Sequence, residues 1–362
     1  MPTSARSTRG RSIPRAAAGC LVVAGFALIV GACSSPEPRS EPRFTHDTIA
    51  IPSAHYLSIT WPIDDEIVVG RLREPEEGPG VELLALDPVS GDRRVLTLTN
   101  PHCGRIDAFA LTTLPTNDIG LLESCLKNPD WGFPPANRLF LSAAHLDGGP
   151  TTRIMRQTLG FNARQFTWNP SMTEGFASTL SDLCGSITGL TPEGPEPVPI
   201  RVNVGGAVWE LDDYFQELPD ASCKRYGRAD WPALSPDGKF LAFMVSAPQA
   251  GVTGFDVATA PWDLMLMGDG AEPEIVVREI LHPRGLAWSP DGRSVSFSGQ
   301  IMGRGRGVWV YRPSSAALFR VWDGSVHSLA WSPDGDRIVG VYAPDISEPF
   351  AKQILLFDVA VE

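Results

Sequence analysis

The chain has 362 residues, of which 43% are hydrophobic, and this is enough to bury a large core. Its formal net charge is −12, from 42 acidic and 30 basic residues. An acidic surface repels phosphate backbones and anionic headgroups, which excludes nucleic acid as a partner and favours cationic ligands or basic protein segments.

Residues 1–33 have the pattern of an export signal. A basic start is followed by the apolar run Ala16–Val30, which is too short to span a bilayer comfortably. The run ends in Val30-Gly31-Ala32-Cys33, which resembles the lipobox of bacterial lipoproteins. That resemblance implies cleavage before Cys33 and its modification with acyl chains such as palmitate. A soluble apolar helix or an uncleaved anchor is the alternative.

Residues 34–43 are polar and rich in Pro, so we expect a flexible tether. Several acyl chains on one cysteine hold a protein stably on a membrane. The sequence therefore predicts an extracytoplasmic protein that touches a bacterial membrane only through its lipid anchor. The anchor lies on the outer leaflet of the cell membrane or on the periplasmic side.

The first predicted strand is His46–Ile51, where apolar and polar residues alternate. Hairpins are then predicted to begin near residues 57, 105, 164, 231, 285 and 328. Third strands follow most hairpins, and these are Gly80–Leu86, Arg138–Ala143, Trp262–Met267, Gly307–Tyr311 and Gln353–Val359. Outer strands are predicted at Arg94–Leu98, Arg153–Leu159, Glu274–Arg278 and Ala317–Trp322. Val208–Leu218 is the one short helix candidate.

The last three hairpins share the turn Ser-Pro-Asp-Gly, at Ser235–Gly238, Ser289–Gly292 and Ser332–Gly335. Pro pre-sets φ in such a turn, Asp bonds nearby backbone, and Gly accepts a positive φ. The turn joins two antiparallel strands, and the residues after it alternate as in a half-buried strand. Recurrence at a few tens of residues indicates a repeat architecture.

The pattern apolar-x-Trp-Ser-Pro-Asp-Gly-x-x-apolar-x-Phe resembles the blade motif of TolB-like β-propellers. The resemblance is clear over residues 230–362 and degraded upstream. It implies an all-β, six-bladed β-propeller of four-stranded antiparallel blades over residues 44–362. We expect His46–Ile51 to pair as the outer strand of the last blade and thereby close the ring, whereas a disordered leader is the alternative.

Four cysteines remain after the signal peptide, and they are Cys103, Cys125, Cys184 and Cys223. Four cysteines allow three pairings. Cys103 and Cys125 lie symmetrically about the turn near Leu114, so a bond between them would close that hairpin. Cys184 and Cys223 would then brace the insert before the fourth blade. Free thiols are disfavoured outside the cytoplasm, and metal binding fits the spacing poorly.

The sequence contains no Gly-x-Ser-x-Gly elbow, His-Glu-x-x-His motif or Walker loop. The segment Gly303-Arg304-Gly305-Arg306-Gly307 looks like a dinucleotide-binding fingerprint, but such a fingerprint opens a helix. Because this segment precedes a strand, it is interpreted as a flexible loop. The loops between second and third strands are long and varied, which favours binding on that face. They are predicted at Leu72–Pro79, Leu126–Asn137, Ala247–Pro261, Gln300–Arg306 and Ala343–Lys352.

Charged residues precede each blade's Trp or Leu on the same face, where the inner strand enters the channel. This predicted pore-mouth set consists of His55, Arg164, Asp230, His282, Arg284 and His327, with Asn162 and Arg228 beside them. Such a ring could bind a metal, a carboxylate or a peptide end. Polar residues that merely cap a wet channel are the alternative interpretation.

We expect a monomeric, non-catalytic module that binds an envelope protein or a small ligand and needs no cofactor. The alternative is a propeller hydrolase directed at lactones or sugars, with a metal or polar site at the pore mouth.

Overall fold

The structure is a computed structural model. It describes residues 49–51, 58–73, 81–99, 106–125, 138–155, 165–180, 185–196, 201–204, 207–210, 228–246, 260–268, 271–342 and 352–359. The predicted residues His55, Arg164, Asn162, Cys33, Cys103, Cys184 and Cys223 lie outside these ranges. So do the predicted signal peptide and tether.

The described residues are almost entirely β-structure. The first half of the chain holds β1 (Ile49–Ile51), β2 (Ser58–Ile63), β3 (Glu66–Leu72), β4 (Val81–Leu86), β5 (Arg93–Leu96), β6 (Leu98–Thr99), β7 (Ile106–Thr113), β8 (Ile119–Cys125), β9 (Arg138–Ala144), β10 (Gly149–Pro150), β11 (Thr152–Arg153), β12 (Phe166–Trp168), β13 (Gly175–Leu180) and β14 (Gly185–Leu190). The second half holds β15 (Pro195–Glu196), β16 (Arg201–Val204), β17 (Ala207–Glu210), β18 (Arg228–Leu234), β19 (Phe240–Ser246), β20 (Trp262–Gly268), β21 (Glu274–Trp288), β22 (Val295–Ile301), β23 (Gly305–Arg312), β24 (Ala317–Trp322), β25 (Val326–Trp331), β26 (Arg337–Tyr342) and β27 (Lys352–Asp358).

These strands form antiparallel sheets that follow one another along the chain. Sheet I is β2-β3-β4-β5, sheet II is β7-β8-β9-β11, and sheet III is β12-β13-β14-β15. A seven-stranded sheet runs from β18 to β24. Its first part, β18-β19-β20 and the start of β21, is called sheet IV, and the rest is called sheet V. Sheet VI has the order β25-β26-β27-β1. The pair β16-β17 is antiparallel and the short pair β6-β10 is parallel.

Six buried apolar clusters are each shared by two sheets. They join sheets I and II, II and III, III and IV, IV and V, V and VI, and VI and I. In the last of these, Trp61 and Ile67 of sheet I pack with Val339 and Ile354 of sheet VI. The first and last sheets of the described chain are therefore neighbours.

The second strand of each hairpin is more buried than its alternation predicts. Every residue of β19 from Leu241 to Ser246 is buried, and so is β22 from Val295 to Gly299. The prediction of half-buried strands is wrong here because each such strand is covered on both faces by neighbouring sheets.

The predicted pairing of the N-terminal strand with the last one is confirmed over the described part. Ile49 lies opposite Ile354 and Ile51 opposite Lys352, in antiparallel register. Because β1 is the outermost strand of sheet VI, it covers an edge of β27 that would otherwise be open to pairing with another chain.

Three predictions need correction. The helix candidate Val208–Leu218 is wrong where it is described, since β17 pairs with β16 through Val208–Asn203 and Trp209–Val202. The outer strand predicted at Glu274–Arg278 does not stop there, and β21 continues into the innermost strand of sheet V. Sheet III also gains a third strand, β14, that the sequence analysis did not locate.

A further correction concerns the glycine-arginine segment before β23. The loop predicted at Gln300–Arg306 is a tight hairpin in which Ile301 pairs with Gly305 and Gln300 with Arg306. Glycines at φ 78° (Gly303) and 91° (Gly305) permit this turn, which most other residues resist.

The one helical element among the described residues is a 3-10 turn at Pro313–Ser315. In that same part of the chain, no helix has the length and apolar character that a bilayer crossing requires.

Candidate functional site

The Ser-Pro-Asp-Gly turns are satisfied by their own atoms. In sheet V, the Ser289 hydroxyl donates to Asp291 Oδ1 at 2.6 Å and accepts the N–H of Ser294 at 2.9 Å. The same Asp291 oxygen accepts the N–H of Arg293 at 3.0 Å. Equivalent bonds recur in the turns that begin at Ser235 and Ser332. Their side chains are thus committed to turn geometry.

The electrostatics of the turns agree with this role. The hydroxyl of Ser235 and the Lys239 side chain and N–H lower the pKa of Asp237 to about 2. The hydroxyl of Ser332 likewise lowers the pKa of Asp334. Both carboxylates are stabilised in the ionised form, as hydrogen-bond acceptors.

Successive turns lie side by side. A Cβ built at Gly292 would be 3.8 Å from Cδ of Pro236, in the preceding turn. A Cβ at Gly335 would be 3.7 Å from Cδ of Pro290. The turns of sheets IV, V and VI therefore share one end of their hairpins, which we call the turn face.

The opposite ends of the innermost strands carry the described members of the predicted pore-mouth set. Asp230, Arg284 and His327 each stand five residues before the turn serine of their own sheet. At about 3.3 Å per residue, this places them roughly 16 Å along the strand from the turn. The strand β21 packs beside both β18 and β25, so the three positions are equivalent on adjacent innermost strands.

These three residues differ in burial. Asp230 is 0% exposed, and its Oδ1 accepts the N–H of Trp231 at 2.9 Å. Arg284 and His327 are exposed, as is His282. The structure thus combines one buried carboxylate with a set of exposed cationic or ionisable donors, and each of Asp230, Arg284 and His327 makes further interactions.

The backbone around these residues is irregular. The pairing of β18 with β19 shifts register between Asp230 and Ala233, and Trp231 between them has φ 54°. Register also shifts between Leu281 and Arg284, where His282 has φ 50°. Bulges re-aim side chains, and left-handed backbone at residues other than glycine costs energy and concentrates at functional sites.

Sequence reasoning missed a set of polar side chains that link the innermost strands. Gln165 Nε2 donates to the carbonyls of Pro232 at 3.1 Å and Leu286 at 2.7 Å, which ties sheet III to sheets IV and V. The hydroxyl of Ser328 accepts the N–H of Ile59 at 3.3 Å, between sheets VI and I.

Two further links of this kind join sheets I and II. The Ser58 hydroxyl accepts the N–H of Leu111 at 3.0 Å, and Thr60 bonds Thr113 at 2.7 Å. The signal for these links in the sequence is a small polar residue near the start of an innermost strand. The side chain of such a residue forms hydrogen bonds with backbone groups at the inner edge of the sheets.

The tryptophans of the motif also act between sheets. Trp288 Nε1 donates to the carbonyl of Ala233 at 2.9 Å, and Trp331 Nε1 donates to that of Ala287 at 3.2 Å. In each case the acceptor lies on the innermost strand of the preceding sheet. The motif Trp is therefore part of the contact between neighbouring repeats.

The described residues give little support to the predicted metal and disulfide sites. Among these residues, no group of three or more His, Cys, Asp or Glu is arranged to hold a metal ion. Cys125 is the described cysteine of the predicted pairs, and it ends β8 opposite Ile106 and Arg138. Of the loops predicted to carry binding, only the short Gln300–Arg306 segment is described in full.

Solved structures provide the comparison of folds. An alpha-L-arabinanase of Penicillium chrysogenum, solved with arabinobiose, aligns with a TM-score of 0.56 at 12% identity, over 86% of this chain and 97% of that one. The alpha-L-arabinofuranosidase Arb93A of Fusarium graminearum, solved with an iminosugar inhibitor, aligns with a TM-score of 0.55 at 12% identity, over 88% and 98%. The fold is a β-propeller. At these identities the likeness concerns the propeller fold alone.

TolB of Acinetobacter baumannii is a further similar structure, with a TM-score of 0.49 at 13% identity over 80% of this chain. The propeller chain spans 63% of the length of that TolB chain. No protein-family model matches the sequence, and no curated protein matches it either.

Proposed function

We propose that residues 44–362 form a closed six-bladed propeller, with sheets I to VI as the blades. The six clusters shared by successive sheets, including the one between sheets VI and I, support this ring. So does the pairing of β1 with β27, which joins the beginning of the domain to its end.

The ring is carried outside the cytoplasm on a lipidated Cys33. The basic start, the apolar run and the lipobox-like Val30-Gly31-Ala32-Cys33 support this location. In a bacterial host, the chain should incorporate labelled palmitate and sediment with membranes. The variant Cys33→Ser should lose both properties. Palmitate labelling that persists in this variant would contradict lipidation at Cys33.

The function is binding without catalysis, at the channel entrance opposite the turn face. The observation that carries this proposal is the recurrence of Asp230, Arg284 and His327 at one position of three adjacent innermost strands. The Ser and Asp side chains of the turn face form hydrogen bonds within their own turns. The entrance, in contrast, presents exposed Arg and His side chains on a rigid frame. Such groups recognise a carboxylate or a peptide end, which suits an envelope protein or a small acidic ligand.

The test has two stages. Chemical crosslinking with mass spectrometry in the native envelope identifies the partner and the face that it contacts. The affinity of that partner is then measured for wild type, for His282→Ala/Arg284→Ala and for Arg293→Ala. Arg293 is a matched control because its side chain is 84% exposed on the turn face. We expect the double variant alone to lose affinity, and an unchanged affinity in it would sink the proposal.

A hydrolase is the second candidate, and the buried Asp230 beside the left-handed Trp231 is the observation that favours it. Glycosidases use carboxylates in an apolar setting, with a partner carboxyl about 5–9.5 Å away. The purified protein would then release product from arabinan-type oligosaccharides or lactones, or contain metal by elemental analysis. Asp230→Asn would abolish the activity.

A further inference from the structure

The glycine-arginine segment of sheet V forms a rigid hairpin tip. The N–H of Arg304 donates to the carbonyl of Ile301 at 3.0 Å, which closes the turn. Gly303 and Gly305 supply the positive φ angles. The segment therefore presents its arginines from a defined backbone and not from a flexible loop.

A third arginine holds this backbone in place. Arg320 of β24 donates through Nη1 to the carbonyls of Arg304 and Arg306, each at 3.4 Å, and to Asp323 Oδ1 at 2.9 Å. A Cβ at Gly307 would lie 2.6 Å from Cδ of Arg320, so only glycine leaves room for this side chain. Arg320 is thus a positioning residue for the hairpin.

The side chains of Arg304 and Arg306 differ from that of Arg320. Arg304 and Arg306 are exposed, and within the described part of the chain neither makes an ion pair. Arg320, by contrast, is neutralised by Asp323. Two guanidinium groups therefore project from a fixed tip with their charge available.

The strand register extends this tip into a row. Arg306 lies opposite Gln300, and Gln300 lies opposite Leu281 on β21. Directly opposed residues share one face of a sheet, so an amide donor stands beside the Arg306 guanidinium. Exposed His282 follows Leu281 in β21, at the shift of register before Arg284.

Of the acids near this row, Asp263 is occupied. Asp263 accepts the N–H of Glu279 at 3.0 Å and lies 3.8 Å from Arg278. Glu279 is exposed and lies at the border of the row. Its backbone carbonyl accepts the N–H of Met302. The side chains of Arg304, Arg306 and Gln300 themselves are donors.

We propose that Arg304, Arg306 and Gln300 form a docking edge for a short, extended acidic segment of a partner protein, with its carboxylates on the two guanidinium groups. This deepens the proposed function and rests on it, because it names the class of partner that the loop-side face binds. Carboxylates match the planar fork of Arg.

The net charge of the chain favours a short acidic segment as the partner over an extended polyanion. Fields are screened beyond about 8 Å at physiological salt, so a short acidic segment meets mainly the local arginines. A membrane surface or a nucleic acid would also face the acidic remainder of a chain with net charge −12.

The probe is a fluorescein-labelled oligoglutamate peptide, titrated by fluorescence polarisation against the mature lipoprotein in detergent. We expect Arg304→Ala/Arg306→Ala to weaken the Kd about tenfold, as two exposed charge pairs would. Arg306→Lys keeps the charge but loses the fork, so it should give a partial loss. Arg293→Ala is the matched exposed arginine and should leave the Kd unchanged.

Three results would overturn the docking edge. They are no binding by wild type at physiological salt, equal affinity in the double variant, and stronger displacement of the peptide by soluble dihexanoyl-phosphatidylglycerol than by unlabelled peptide. The last would identify a headgroup site. Loss of peptide binding in His282→Ala/Arg284→Ala, but not in Arg304→Ala/Arg306→Ala, would leave the proposed function standing and reject this edge.

Discussion

Sheets IV to VI, whose turns are Ser-Pro-Asp-Gly, differ from sheets I to III in how one repeat is fastened to the next. In sheets V and VI the motif tryptophan donates its indole N–H to the preceding sheet. The corresponding Trp61 and Trp168 of sheets I and III are equally buried, yet their Nε1 atoms have no hydrogen-bond partner among the residues that the structure describes. The same side chain is thus a polar link in one region and an apolar filler in the other.

The turns differ in the same way. Gly238, Gly292 and Gly335 occupy the left-handed position of the regular turns. In sheet III that position is held by Met172 at φ 55°, and in sheet II by Asn117 at φ 62°. Asn169 replaces the turn serine in sheet III, and its Oδ1 accepts the N–H groups of Thr173 and Glu174. The degenerate repeats thus keep the geometry with residues that suit it less well.

The largest expected effect comes from the tryptophans. Trp288→Phe leaves the buried carbonyl of Ala233 without its donor, and we expect a loss of about 2–4 kcal/mol in the free energy of unfolding. Trp168→Phe removes a similar volume but no hydrogen bond, so it should cost about 1–2 kcal/mol less. Urea denaturation of both variants measures the difference. Equal losses would show that the indole bond adds nothing.

Gln165 provides a second test of this comparison, since its side chain forms hydrogen bonds between a degenerate repeat and two regular ones. Gln165→Ala removes bonds to two carbonyls, and we expect a loss of about 1–3 kcal/mol. Gln300→Ala is the control, because Gln300 is half-buried and its side chain makes no hydrogen bond among the described residues. It should change stability by less than about 0.5 kcal/mol. Comparable losses in the two variants would remove Gln165 from the set of inter-sheet links.

Exchanging the turn residues should act in opposite directions. Gly292→Ala places a Cβ at φ 69° and should cost about 1 kcal/mol, although that Cβ would make only an ordinary contact, with Cδ of Pro236 at 3.8 Å. Met172→Gly relieves the same conformation at φ 55° and should gain about 0.5 kcal/mol. Thermal unfolding of the two single variants checks both signs. A loss in Met172→Gly would mean that the methionine side chain outweighs its backbone strain.

The smallest effect is the pH dependence of a regular turn. The folded pKa of Asp237 is about 2, below its unfolded value of about 3.9. Its stabilisation is therefore present above pH 4 and is lost as pH falls from about 4 to about 2. Asp237→Asn should flatten this part of the stability curve, measured by urea midpoints between those pH values. The turn of sheet III has Ser171 at the position that Asp occupies in the regular turns, so it has no carboxylate there and provides the matched control.

Much of the fold was predictable because its signals are local. The Ser-Pro-Asp-Gly turns predict β18-β19, β21-β22 and β25-β26, and alternating apolar residues locate β4, β9, β20, β23 and β27. The helix prediction failed at residues 208–210, the described part of the candidate, which belong to β17 and pair with β16. The loop prediction failed at Gln300–Arg306, where glycines that suggest flexibility are required by a tight turn and by Arg320.

The candidate site was predictable only in part. Residue type and distance from the turn located Asp230, Arg284 and His327, since strand geometry converts sequence spacing into height above the turn. Gln165 and Ser328 escaped notice because their partners are backbone groups far away in sequence, such as Leu286 and Ile59. A long-range contact of this kind leaves no periodic pattern.

The sequence by itself determined the strands, their turns and the repeat, because these depend on the φ preferences of Pro, Gly and Asp and on local alternation. It also determined the order of the sheets along the chain. Only the tertiary structure decided which repeats are joined by indole and amide hydrogen bonds. It also decided which arginines remain exposed, since Arg320 binds the hairpin backbone and Asp323 whereas Arg304 and Arg306 face solvent. Those outcomes depend on distances between residues on different strands and sheets, and such distances exist only when the sheets have packed.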